Sequence, residues 1–363
     1  MRGKTKNPDI SGEFSNIPPL VVAWYEENRR RLPWREEVSP YRTLISEIML
    51  QQTRVEAVKP YFEKFLATFP DLPSLADADD DLLYKRWEGL GYYSRARNLK
   101  KCAKEVVERF GGTIPKDVKD LLSLPGIGPY TAGAIAAFAY GVPAPAVDGN
   151  VLRVTARLTG ERGDVLSPEI KAKLTAFVSS LIPVDSPGSF GQGLIEIGAL
   201  ICLPNQVPKC DLCPLRASCR ACMENETDAI PYRAPKRQRR VEERTVLLIR
   251  SGKATLLHKR GSSGLLAGLW EFPNFLGGLS EKEVLNVAKS LGFDPLRIRD
   301  LPPAKHLFTH IEWRMTGYLI LVAEPEGEPP AGYVMPDTAT LLSRFALPSA
   351  FSAYTRTLSE PIP

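Results

Sequence analysis

The hydrophobic pattern of this chain changes period near residue 240, and that change restricts the possible folds more than any other feature. From residue 18 to 223 apolar residues recur at helical spacing, and strand-type alternation is absent before residue 240. Pro18-Pro19 precede an amphipathic run from Leu20 to Arg31. Pro40 precedes another, Tyr41 to Phe69, with Leu44, Ile45, Ile48 and Val55 at helical spacing. Helical runs follow at Asp79–Trp87, Ser94–Phe110, Gly149–Leu158, 168–182 and 188–201. Beyond residue 244 the signals are those of strands. Thr245–Ile249, a Ser251-Gly252 turn and Thr255–Leu257 read as a hairpin. His306–His310 and Arg314–Ala323 read as further strands, and Ser280 with Glu283 forms a capping box for a helix Glu281–Leu291. The expected architecture is therefore multi-domain: an all-α domain over 18–223 and an α+β domain over 244–355. Residues 1–17 read as a flexible lead. Residues 224–243 read as a polar linker carrying Arg233, Lys236, Arg237, Arg239 and Arg240, either solvated surface or a phosphate contact.

A length of 363 residues accommodates two or three domains. No apolar run approaches the roughly 20 residues of a membrane span, and the opening MRGKTKNPDISGEFSNIPP has no apolar core for an export signal. No membrane association is expected. The net charge of +5 favours an anionic partner. Of six cysteines, Cys202, Cys210, Cys213, Cys219 and Cys222 fall within 21 residues, which points to metal rather than disulfides. Their first three gaps are seven, two and five residues. Four thiolates serve both zinc and 4Fe–4S centres; one CxxC flanked by longer gaps suits the cubane better. Cys102 and Cys222 are left over. The three histidines, His258, His306 and His310, all lie in the last third, so acid–base chemistry in the first 250 residues falls to carboxylates, Tyr or Lys.

Within the helical part, residues 119–135 read as a helix–turn–helix around Leu124-Pro125-Gly126-Ile127-Gly128-Pro129. Gly126 and Gly128 allow a tight turn, and Pro129 suits the first helical position. The amides at such a helix start can bind a phosphate; equally, the turn joins two helices with no further role. Asp148, eighteen residues after Tyr130, offers a carboxylate, and it is also well placed as an N-cap.

Taken together, LPWR at 32–35, SEIMLQQT at 46–53, GLGYYSRARNL at 89–99, LPGIGPYTAGAI at 124–135, VDGNV at 147–151 and the cysteine cluster resemble the helix–hairpin–helix DNA glycosylases of the endonuclease III superfamily. More narrowly, the chain is similar to adenine DNA glycosylases of the MutY type over residues 18 to 350. The resemblance implies an active site between two helical lobes, with Glu47 as catalytic acid and Asp148 as catalytic carboxylate. Glu47 lies among Leu44, Ile48 and Leu50, a poor place for a solvated charge. It should hold its proton through a raised pKa while Asp148 stays ionised. Tyr130 stands where bifunctional relatives carry a nucleophilic lysine, which implies base removal without strand cleavage. Tyr130 would hydrogen-bond with Asp148, and Asn150 would position Glu47 and water. Trp34, Arg35 and Gln192 match adenine-pocket positions. Gln52 and Tyr92 match residues that wedge into the gap or approach the opposite base, with Thr53 and Leu90 beside them and Gly126 and Gly128 on the DNA backbone.

The resemblance assigns Cys202, Cys210, Cys213 and Cys219 to a 4Fe–4S cluster, although the family usually has six residues between the first two and this chain has seven, Leu203 to Lys209. The C-terminal domain is similar to Nudix folds around GLLAGLWEFP at 264–273, but the helix that should carry metal-binding glutamates reads LNVAKSLG. Phe308-Thr309-His310 matches a loop that reads the damaged base, and a strand end with a buried Phe is the plainer alternative. The implied substrate is double-stranded DNA with adenine opposite 8-oxoguanine or guanine, bound by a monomer in a bacterial-type cytoplasm at the nucleoid. The competing readings are a Nudix hydrolase of oxidised nucleotides, a silent DNA-binding module, and a thymine-specific or bifunctional relative. The degraded Nudix helix, the Glu47–Asp148 pair and Tyr130 argue against them in turn.

Overall fold

A computed structural model describes residues 12–235 and 238–359. The flexible lead expected at 1–17 falls outside it up to residue 11, as do Lys236 and Arg237 of the expected linker. The described chain divides into two compact units. One comprises the described residues of Met1–Ala76 and Asn98–Pro235; the other comprises those of Asp77–Arg97 and Lys236–Pro363. Among the described residues, no helix is long and apolar enough to cross a membrane.

The first unit is helical. Helices α1 (Ile17–Asn28), α2 (Pro33–Glu36), α3 (Pro40–Leu50), α4 (Val55–Thr68) and α5 (Leu72–Ala76) precede the segment that belongs to the second unit. That segment holds α6 (Asp80–Trp87) and the start of α7 (Ser94–Phe110). Then come α8 (Val118–Leu122), α9 (Pro129–Ala134), a π-turn at Ile135–Ala139, α10 (Gly149–Thr159), α11 (Pro168–Leu181), α12 (Pro187–Leu200) and α13 (Arg220–Met223). Val21 of α1, Val151 and Val154 of α10, Phe177 of α11, and Phe190, Leu194 and Ile197 of α12 form one buried cluster. At Gly198 of α12 the backbones come close: an added Cβ would stand 2.6 Å from the Asn150 Cβ. Only glycine lets α12 press Asn150 into place.

The run expected from Tyr41 to Phe69 breaks into α3 and α4. Gln51-Gln52-Thr53-Arg54 supply no apolar residue to a common face, and the backbone turns through Gln52 at φ +58°. The helix–turn–helix forms as α8 and α9. Gly126 has φ +77°, whereas Gly128 is extended, at φ −94° and ψ 177°, and caps α9. The expected need for two special glycines therefore holds at one. An added Cβ at Gly126 would also meet the Asn98 Cβ at 2.7 Å.

The second unit is built on a sheet of strands β1 (Arg240–Ser251), β2 (Ala254–Thr255), β5 (Asn274–Leu276), β6 (Pro295–Leu307) and β7 (Ile311–Val322). The order is β2-β1-β7-β6, with β5 also on β1. β1 and β7 run parallel, Arg240 opposite Ile311 through Arg250 opposite Leu321, and β6 and β7 run antiparallel. A small second sheet contains β3 (Leu257–Lys259), β4 (Trp270–Glu271) and β8 (Tyr333–Val334). Val284 and Ala288 of α14 (Glu281–Ser290) pack with Leu247, Ile249 and Ile320 on one face of the larger sheet. Val246, Leu248, Trp313, Met315 and Phe351 form the core on the other face. The capping box at Ser280 and Glu283 is present.

Two expectations shift in this unit. β1 begins at Arg240, so the last part of the expected linker is strand, with Arg240 paired to Glu242. The strand expected at His306–His310 ends at Leu307, because the Phe308 amide donates to the Ile311 carbonyl at 2.8 Å and closes a hairpin turn. Phe308, Thr309 and His310 are that turn.

Candidate active site

Helix α3 carries Glu47 on a face that is buried almost throughout, and only 6% of Glu47 is exposed. Burial raises its pKa to about 7; the Tyr130 hydroxyl and Arg35 pull it back, and the Asp148 charge pushes it further up. The Tyr130 hydroxyl, from the first turn of α9, donates to Glu47 Oε2 at 2.7 Å. Tyr130 itself stays protonated, its pKa raised by burial and by both carboxylates. With Oε2 engaged as an acceptor, the Glu47 proton belongs on Oε1.

Asp148 is the N-cap of α10, as the plainer reading of the sequence has it. Its Oδ1 accepts from the Asn150 and Val151 amides, each at 2.8 Å, and its Oδ2 accepts from Asn150 Nδ2 at 2.7 Å. Burial raises its pKa and these donors work against the rise. The cap does not preclude chemistry, because carboxylate lone pairs remain beyond the three accepted bonds. The expected partners are exchanged, however. Tyr130 bonds Glu47 rather than Asp148, and Asn150 bonds Asp148 rather than Glu47. The Asn150 side chain, in the first turn of the helix, folds back onto its own cap.

Behind Asn150 stands Arg153, which sequence reasoning missed. The residue is 3% exposed, and its guanidinium donates to Asn150 Oδ1 at 2.9 Å, to the Gly198 carbonyl at 2.7 Å and to the Cys202 carbonyl at 2.7 Å. The sequence signal was available: Arg153 and Arg157 lie four apart on the apolar side of α10. A buried arginine needs several acceptors.

Arg35 and Gln192 meet, Arg35 Nε donating to Gln192 Oε1 at 2.8 Å. Arg35 also reaches Glu196, a fully buried carboxylate that Arg30 holds through two bonds of 2.7 and 2.9 Å. Burial opposes the Glu196 charge, yet Arg30 and Arg35 hold its pKa below the usual carboxylate range. Glu196 was not foreseen either. Trp34, by contrast, is buried edge-on against Phe62 at 5.5 Å between centroids, which is core packing. Gln52 and Thr53 lie in the break between α3 and α4, with Gln52 exposed in the left-handed region.

In the second unit Tyr92 is also left-handed, at φ +47°, and 46% exposed. Its hydroxyl lies 3.3 Å from Thr309 Oγ1. Both border a cavity of about 560 Å³ that Phe308, His310, Leu265 and Arg239 also line, large enough for a small ligand or a base. Thr309 and His310 are exposed, and Phe308 is half-buried against Trp313 at 4.8 Å between centroids. Leu90 does not join them as expected. It is 6% exposed and packs inward, while its carbonyl accepts from Arg95.

The cysteine loop gathers Cys202, Cys210, Cys213 and Cys219 around one cavity, together with Cys222. Arg157 fastens the loop. It donates to Cys202 Sγ and to the Leu203 carbonyl, both at 3.2 Å, and to the Thr227 carbonyl at 2.7 Å. Among the described residues, no three His, Cys, Asp or Glu side chains stand close enough to hold a single metal ion. The thiols instead surround a space, and a cubane cluster requires thiolates placed around it. N–H donors aimed at the sulfurs suit such a group. Burial raises the Cys213 thiol to about 12, and also raises Cys219. Without metal these thiols are neutral, and ligation must displace their protons.

The chain matches the family described as HhH-GPD superfamily base excision DNA repair protein over residues 45–179, and the NUDIX domain over 245–356. The adenine DNA glycosylase of Buchnera aphidicola subsp. Baizongia pistaciae is 35% identical, covering 80% of this chain and 82% of its own length. The human adenine DNA glycosylase is 32% identical, covering 87% of this chain and 68% of its own. Among solved structures, a thermostable thymine-DNA glycosylase superposes with a TM-score of 0.55 at 29% identity, covering 60% of this chain and 100% of its own. An endonuclease III–DNA complex superposes at 0.50 and 24% identity, covering 59% and 97%, a likeness of fold. The buried acid, the capped carboxylate and these relatives lead to one assignment: the chain, with its helical helix–hairpin–helix part followed by a Nudix-like α/β domain, belongs to the adenine DNA glycosylase family.

Proposed function

We propose that this enzyme hydrolyses the N-glycosidic bond of adenine mispaired with 8-oxoguanine or guanine in double-stranded DNA, acting as a monomer and leaving the strand intact. The observation that carries the proposal is Glu47: a buried carboxyl with a pKa near 7, one oxygen fixed by Tyr130 and the other left for its proton. The adenine must leave the stack before its bond is accessible. Glu47 then gives its proton to adenine N7. The C1′–N9 electron pair departs with the base, and the sugar becomes cationic. Asp148 stabilises that oxocarbenium ion by charge, or as a transient ester that water then opens, in the manner of paired glycosidase carboxylates. Asn150, held by Arg153, orients the Asp148 carboxylate. Arg35 and Gln192 border the adenine pocket, and Gln52, Thr53 and Tyr92 approach the gap and the opposite base. The amides around Gly126 and Gly128 hold the DNA backbone. Tyr130 cannot form the imine that a lysine would, so no strand cleavage follows.

Cys202, Cys210, Cys213 and Cys219 would hold a 4Fe–4S cluster that orders the loop from 203 to 219. In the second unit, Phe308, Thr309 and His310 read the base opposite adenine. 8-Oxoguanine carries a hydrogen on N7, which the Thr309 hydroxyl can accept. The test is single-turnover release of adenine from duplexes carrying it opposite 8-oxoguanine, guanine, cytosine and thymine. Fast release opposite the first two supports the proposal; no release from any duplex, or equal release from all four, contradicts it.

A further inference from the structure

Cys222 was a leftover in the sequence, and the structure gives it a place. It sits on α13, three residues after Cys219, and lines the same cavity as the other four loop thiols. The five sulfurs are not supported alike. Cys202 receives an N–H from Arg157. Cys213 receives the Leu215 amide, and Cys219 the Ala221 and Cys222 amides. The Cys210 thiol instead has the Cys222 thiol within hydrogen-bonding reach.

The two thiols are also anchored differently. Cys210 follows the loop that is one residue longer than usual for the family. In that loop Pro204, Asn205, Gln206 and Val207 are exposed and Asn205 is left-handed. Cys222 is tied to Cys219 through its amide, which donates to the Cys219 carbonyl at 3.1 Å, and its neighbour Ala221 is fully buried. The Cys210 backbone is bonded too, its amide donating to the Pro208 carbonyl at 3.0 Å and its carbonyl accepting from the Cys213 amide at 3.1 Å, so the difference lies in the exposed loop before Cys210 and the buried neighbour of Cys222.

We propose that Cys222 is a fifth cluster thiol that shares the ligand position of Cys210 and takes it over when Cys210 is lost. This rests on the cluster reading given above. In the exchange Cys222 would pass its proton to the departing Cys210 thiolate, or to solvent where Cys210 is absent, and an iron–sulfur bond to Cys222 would replace the one to Cys210. Neither iron nor sulfur changes oxidation state.

The test compares iron and acid-labile sulfide per chain, and visible absorption, in full-length protein purified without oxygen. Cys222→Ser should keep the wild-type content of about four irons. Cys210→Ser should keep at least half of it. Cys213→Ser, whose sulfur is bonded by the Leu215 amide and not by the Cys222 thiol, and the double variant Cys210→Ser/Cys222→Ser should each fall below a tenth. Alkylation followed by mass spectrometry gives a second readout on folded protein. Cys222 should react in the wild-type holoprotein and be protected in Cys210→Ser. The proposal is overturned if Cys210→Ser loses iron as fully as Cys213→Ser, if the double variant keeps as much as Cys210→Ser, or if Cys222 stays reactive in Cys210→Ser. Wild-type protein without iron would instead overturn the cluster reading, and this inference with it.

Discussion

Glu47 shows how much chemistry a single residue can reveal in sequence. Its apolar neighbours on a helix leave no room for a solvated charge, and the structure finds it buried with a pKa near 7. The sign of the resulting pH dependence follows directly. A raised carboxyl pKa means that the donor form is present below about pH 7 and is lost above it. Single-turnover adenine release should therefore fall roughly tenfold per unit above pH 7. The acid limb comes from Asp148, whose pKa is also raised and which must be ionised. Glu47→Gln should abolish release and leave duplex binding intact; near-wild-type release, or a flat profile above pH 7, would contradict the assignment. The hydrogen-bond partners were not legible. Asn150 depends on where α12 presses, and Tyr130 on how α9 lies beside α3, so neighbours in space decided what spacing could not. Arg153 is the clearest case. Arg153→Ala removes a buried guanidinium and leaves the Gly198 and Cys202 carbonyls unpaired, so it should cost about 3 kcal/mol of stability. Chemical denaturation measures this, and a loss under 1 kcal/mol would mean the carbonyls find other partners.

At the scale of elements, helix positions were readable because the 3.6-residue period persists over many turns, and α10, α11, α12 and α14 end within a residue or two of expectation. The hairpin turn at 308–310 was not readable from the pattern, because Phe308 and Ile311 continue it through the turn; only the resemblance placed a loop there. Nor was the role of Arg239. Beside Arg240 it read as solvated surface or a phosphate contact, yet its Nε donates to the Phe308 carbonyl at 3.0 Å and holds the turn from the side. If Thr309 and His310 read the damaged base, Thr309→Ala/His310→Ala should weaken binding of adenine opposite 8-oxoguanine tenfold or more, as one lost polar contact of roughly 1–3 kcal/mol predicts. Binding opposite guanine should change little. Arg239→Ala should reproduce part of that selective loss by loosening the turn. A uniform loss on both duplexes would make Arg239 a backbone contact, and an unchanged ratio in the double variant would make the turn purely structural. Thr309→Ser keeps the hydroxyl and should be nearly silent.

At the scale of the whole chain, order in sequence and membership in a unit part company. Asp77–Arg97 reads as one more stretch of the helical domain, with helical spacing before and after it, yet it packs within the second unit. Its polar residues explain this. Asp81 accepts from Trp270 Nε1 at 3.0 Å, Glu88 Oε1 accepts from the Leu347 amide at 2.9 Å, and Arg97 donates to the Ala267 carbonyl at 2.9 Å. On the sequence these are ordinary surface charges. Each finds its partner about 170 to 260 residues away, beyond any periodicity argument. Tyr92, at the end of this segment, reaches Thr309 only because the segment is anchored there. The anchoring is testable in the full chain with Asp81→Ala/Glu88→Ala, which removes two bonds to buried or half-buried donors. Local stability of residues 80–93 should fall by roughly 2 kcal/mol. Amide hydrogen exchange there should accelerate at least tenfold, while that of α10 and α12 stays unchanged, since opening is local to the unit that loses the contacts. Discrimination between 8-oxoguanine and guanine should fall along with it, because Tyr92 would no longer be held against the turn. Uniform acceleration across the chain would show that the segment is not a separate cooperative element, and unchanged exchange at 80–93 would show that these two carboxylates do not hold it.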